Sequence, residues 1–143
     1  MRRLHKLFAL PPPERAVFLR CALTLAAVLI LLRLTSYKVA HGVLAHSRKE
    51  PVADGPSPAA IMRNLKRAAK AVPANCLPQA LAAQYLLHCA GVATTIRVGV
   101  AAKVGGGLLA HAWLLEGERV LLGGTAEELR PYTCLTDLTF GAA

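Results

Sequence analysis

Cys21 to Leu32 is a run of twelve residues without a charge, closed off by Arg20 and Arg33. It constrains the fold more than any other segment, because a run this apolar must be covered. A membrane-spanning helix needs about 20 such residues. Extension back to Ala16 reaches seventeen, but only by taking in Arg20. Basic residues flank both sides, so they set no orientation. The run begins after Pro11-Pro12-Pro13 and has no small-residue cleavage site close behind it, which argues against a secretion signal. The expectation is a helix buried in a core or lying at an interface. A span over residues 16–34 is the rival reading.

The rest of the chain reads as short elements around that helix. Met1–Leu7 is basic and amphipathic; the triple proline stops it, and Glu14 suits the first turn of a new helix. Residues 14–46 read as one or two helices. Residues 47–58, SRKEPVADGPSP, form the clearest linker. Residues 59–71 repeat apolar positions at Ile61, Leu65 and Ala68 or Ala69 among basic ones, which is an amphipathic helix ended by Pro73. A further helical pattern runs from Cys76 to His88, with Asn75 placed to cap it and Gly91 to stop it. Thr94–Val100, Leu108–Leu115 and Arg119–Leu122 read as strands, joined at Gly105-Gly106-Gly107 and Glu116-Gly117-Glu118. Helices followed by an antiparallel meander give an α+β layout. The domain reading is a helical lead-in over 1–46, a linker over 47–58 and a domain over 59–143.

Charge is unevenly placed. Residues 1–70 hold thirteen Lys and Arg against three acids, whereas residues 71–143 hold four against five. The basic residues are dispersed among apolar ones without a nucleic-acid-binding motif, so solvated faces of amphipathic helices account for them better than a nucleic acid does. Cys21, Cys76, Cys89 and Cys134 form neither a C-x-x-C pair nor a zinc-ligand spacing. No metal site is expected, and free thiols in a reducing cytoplasm are.

Among those cysteines, Cys76 opens a helix. A thiol there meets the positive end of the helix dipole and unpaired backbone N–H groups, which stabilise a thiolate and can hold an oxyanion. His111, in Leu109-Ala110-His111-Ala112-Trp113, shares one strand face with Leu109 and Trp113. A strand brought against the helix start would supply the base that a cysteine nucleophile needs. The other cysteines and His88 read as packed residues.

The stretch PANCLPQALAAQYLLHCAGVATTIRVGV, followed by LLAHAWLLEGERVLLGG, resembles the transglutaminase-like cysteine protease of lasso-peptide biosynthesis. The resemblance rests on Cys76-Leu77 opening a helix, on Gly91-Val92 turning into a strand, and on Ala110-His111-Ala112-Trp113 before the Glu116-Gly117 turn. It implies a transglutaminase/papain-like core of helices on a small antiparallel sheet, preceded by a helical N-terminal segment. It also implies a cytoplasmic leader peptidase with Cys76 as nucleophile and His111 as base. The implied partners are the precursor peptide, a separate leader-binding recognition protein and an asparagine-synthetase-like lasso cyclase. No cofactor is implied, and any ATP requirement would enter through those partners.

One departure stands out. The superfamily usually completes a triad with an acid on the strand after the histidine, and Arg119–Gly124 has none. Glu118 is the candidate third member, with Glu116 beside it in the turn; Glu127 and Glu128 follow the strand. A backbone carbonyl or an amide could orient His111 instead. Gln79 and Trp113 are candidates for oxyanion or substrate contacts. A non-catalytic adaptor that holds the precursor or the cyclase is the alternative function.

Overall fold

The structure, a computed structural model, describes residues 6, 8–47 and 50–140. Most of the basic opening segment, together with Arg48 and Lys49 of the linker, therefore lies outside the described residues. Among the described residues, helices α1 (Pro12–Leu34), α2 (Tyr37–His46), α3 (Pro58–Ala71), α4 (Cys76–Cys89) and α5 (Ala126–Leu129) accompany four strands. The strands β1 (Thr95–Ala102), β2 (Leu108–Glu116), β3 (Arg119–Leu122) and β4 (Thr133–Thr139) form one sheet in the order β3-β2-β1-β4. Every pairing in it is antiparallel.

The triple proline leads directly into α1. Pro12 and Pro13 occupy the first turn, where a missing N–H costs nothing. Glu14 lies in that turn and binds both Arg63 and Arg67 of α3. One face of α1, made of Phe18, Cys21, Leu25 and Val28, is buried in the same core as Ile61, Leu65 and Ala68 of α3 and Leu81 and Leu86 of α4. Ser36 and Ser57 start α2 and α3 by accepting Val39 and Ala60 N–H.

α4 is the hub. Apolar residues all round it are buried, which is what a helix enclosed on several sides requires. It stops where Gly91 takes φ +82°, allowing Gly91 N–H to reach His88 O and Val92 N–H to reach Leu87 O. Gln84, fully buried, fastens α4 to the sheet through Nε2, which donates to Thr94 O (3.2 Å) and Leu138 O (2.9 Å).

Two faces of the sheet are distinct. Ile96, Ala112 and Leu114 are buried against the helices, with Val98 and Leu138 packed beside them. Trp113 and Leu115 point the other way and join Leu129, Val120 and Tyr132 in a smaller cluster. β4 extends the expected three-stranded meander to four strands: Thr133–Thr139 lines the free edge of β1, with a bulge between Val98 and Gly99.

Candidate active site

Cys76 is the first residue of α4, half-buried at the margin of the main core. Asn75 occupies the capping position, but its side chain makes no capping bond, contrary to the sequence expectation. Because Pro78 has no N–H, the donors at this helix start are the Cys76 and Leu77 amides, and no hydrogen bond uses either among the described residues. The next amide, of Gln79, turns back to Asn75 O at 3.4 Å. The Gln79 side chain is occupied as well: Nε2 donates to Ala74 O at 2.7 Å and ties the preceding loop to the helix.

His111 lies on β2 directly opposite Gly99 of β1. Its Nε2 is 2.6 Å from the carbonyl oxygen of Gly123, just past β3. Its ring stacks on Trp113 at 6.1 Å and meets Tyr132 at 5.4 Å. Alternation along β2 therefore puts His111 on the side of Trp113 and Leu115, whereas Ala112 and Leu114 pack under α4. Cys76 packs at the main core and His111 at the smaller cluster, and no hydrogen bond joins them among the described residues.

The acids near this centre are engaged elsewhere or exposed. Glu116 is bound by Arg119 across the hairpin, and Glu118 stands exposed at its tip. Glu127 is exposed on α5. Glu128 closes a capping box with Thr125, whose backbone N–H and hydroxyl hold its carboxyl below the usual range. Trp113 is buried, its ring edge pressed over Gly99, where an added Cβ would lie 2.8 Å from Cη2.

Gly123 and Tyr132 escaped the sequence reading. Gly123 stood in a Gly-Gly pair that reads as a strand end, and nothing in the spacing connects residue 132 to residue 111. A third feature, on the same sheet face, is the cross-strand pair of Arg97 and Asp137, bound through two contacts of 2.8 Å. The Arg97 guanidinium holds the Asp137 carboxyl below its ordinary range. No group of three or more His, Cys, Asp or Glu able to hold a metal is found among the described residues.

A family model described as the transglutaminase-like superfamily matches residues 21–137, from within α1 into β4. No curated protein and no solved structure matches the chain.

Proposed function

Because the chain belongs to the transglutaminase-like superfamily, we propose that it is a cysteine peptidase with Cys76 as nucleophile and His111 as general base and acid. The observation that carries this reading is the 2.6 Å contact between His111 Nε2 and Gly123 O. A carbonyl only accepts, so Nε2 bears the proton and Nδ1 keeps the lone pair that a base requires. With a peptide bound, His111 Nδ1 takes the Cys76 thiol proton. The thiolate adds to the scissile carbonyl, and the oxyanion is held by the Cys76 and Leu77 amides. As the C–N bond breaks, His111 returns the proton to the leaving amine. It then takes a proton from water; the hydroxide adds to the acyl carbon, the C–S bond breaks, and His111 returns the proton to the departing Cys76 thiolate. No Cys76–His111 hydrogen bond is present among the described residues, so this reading requires that contact to form when substrate binds.

The substrate in this reading is the leader region of a lasso-peptide precursor, on the strength of the Cys-Leu and Ala-His-Ala-Trp resemblance. The work would be done in the cytoplasm with a leader-binding partner and an asparagine-synthetase-like cyclase. The test is mass spectrometry of a precursor co-expressed with that partner and with wild type, Cys76→Ala or His111→Ala. A leader fragment should appear with wild type alone; full cleavage by either variant would remove the assignment.

A second reading, the adaptor, is favoured by the absence, among the described residues, of a Cys76–His111 hydrogen bond and of an acid beside His111. It predicts an intact precursor with all three chains, each still binding the partner.

A further inference from the structure

α1 has two apolar faces, and the core covers one. Ala16, Leu19, Leu23, Ala27, Ile30 and Leu34 recur at helical spacing on the side opposite Phe18, Cys21, Leu25 and Val28, and all six are exposed. Leu23 is 70% exposed and Leu34 78%. Beside this stripe, α1 and α2 enclose a groove of ≈ 590 Å³ lined by Leu23, Ile30, Leu34, Val43, Leu44 and Tyr85 among others. Val39 and Val43 continue the exposed apolar surface onto α2. A continuous patch of this kind marks an interaction site.

Charge selects the occupant. Arg20 and Arg33 flank the stripe and Lys38 stands on α2, all exposed. Glu14 is the one acid within residues 12–47, and Arg63 and Arg67 of α3 hold its carboxylate. The surface is thus apolar with a rim of cations and no free carboxylate. Two copies meeting through it would confront like charges without compensation. An anionic lipid surface offers acyl chains to the stripe and phosphate groups to the rim. A spanning seat would require Phe18, Cys21, Leu25 and Val28 to leave the core and would uncover their partners on α3 and α4.

We propose that the outward face of α1, with the α1–α2 groove, seats the chain on an anionic membrane surface, α1 lying in the plane of the interface. The test is flotation of the full chain with vesicles of phosphatidylcholine alone, or of phosphatidylcholine mixed with phosphatidylglycerol, at low and high salt. The chain should float with the mixed vesicles, less so at high salt. Leu23→Glu and Ile30→Glu, both at exposed positions, should cut binding about tenfold or more while leaving thermal unfolding unchanged. Arg20→Gln with Arg33→Gln, which leaves the apolar face whole, should weaken binding to the anionic vesicles. Failure to float with either vesicle overturns the proposal. So does full binding by the Glu variants. A dimer, or a complex with the leader-binding partner, that Leu23→Glu disperses while vesicle binding is absent would assign the face to a protein instead.

Discussion

Gly123 presents its carbonyl oxygen 2.6 Å from His111 Nε2, at the position after β3 where an acid was sought. The two are linked a second time through Trp113. Gly123 sits at φ +108°, and a Cβ there would fall 2.5 Å from Trp113 Cβ and 2.8 Å from its Cα. Only glycine therefore lets this carbonyl approach the imidazole while β2 keeps its course. The neutral carbonyl fixes the ring's tautomer, though it stabilises an imidazolium less than a carboxylate would.

The first prediction is that Gly123→Ala moves the carbonyl. The atoms it meets belong to the β2 backbone and a buried tryptophan, so neither can yield cheaply. We expect a loss of about 1–3 kcal/mol in stability and a fall of tenfold or more in kcat with KM little changed. Urea unfolding followed by Trp113 fluorescence, unambiguous because Trp113 is the sole tryptophan, and cleavage kinetics on the folded variant would measure both. Wild-type kcat in a folded Gly123→Ala chain would show that the contact does not position the base.

A second prediction concerns Gly99, between His111 on one side and Cys134 on the other. An added Cβ would meet Trp113 Cη2 at 2.8 Å and the Thr133 carbonyl at 2.9 Å. Gly99→Ala should cost about 1–3 kcal/mol and shift the Trp113 emission, since the ring must lift off β1. An unaltered unfolding midpoint and spectrum would mean that the strand accommodates the methyl.

The thiols give a third. Burial pushes the Cys21 thiol up to about 11, and Cys21 and Cys89 are both buried. Cys134 is exposed and Cys76 half-buried. A maleimide at neutral pH should therefore label Cys134 and Cys76 in the native chain, with Cys21 and Cys89 joining only after unfolding. Peptide mapping by mass spectrometry would decide it. Early labelling of Cys21 would contradict the burial of α1.

Local sequence signals located the helices because caps and breaks are local. Pro73 and Gly91 each act within a turn of themselves, whereas the α1–α2 boundary at Ser36 and the four-residue α5 were not read; strands β1 to β3 followed from β-branched runs and glycine turns. β4 was missed because Thr133–Thr139 joins the sheet only by pairing with β1, some thirty residues upstream. The Cys76 and His111 motifs were legible as types at a spacing. The group holding His111 was not identifiable, because Gly123 contributes a backbone atom and any residue has one. Even the expected Asn75 cap lacks one of its usual donors, because Pro78 at the third helix position has no N–H.

The last prediction turns on His41, whose ring stacks on Phe140 at 5.0 Å while His88 meets the same ring edge-on at 5.4 Å. His41 Nε2 is buried without a hydrogen-bond partner, as is Gln84 Oε1. Burial lowers the His41 pKa from its ordinary 6.5, and the amide of Gln84, near but not in hydrogen-bonding geometry, opposes this only in part. In the unfolded chain His41 takes its proton near pH 6.5, whereas in the folded chain it does so at a lower pH. Between those values the unfolded state binds more protons, so unfolding free energy rises with pH. Stability should accordingly decline as pH falls below about 6.5 and level off beneath the folded value. Asp137, depressed by Arg97, loses its contribution only at lower pH, in the carboxylate range. His41→Phe, which keeps an aromatic ring against Phe140 and removes the titrating nitrogen, should flatten the first decline and leave the second. Urea unfolding across that pH series is the measurement. An unchanged first decline in His41→Phe would show that His41 does not set it.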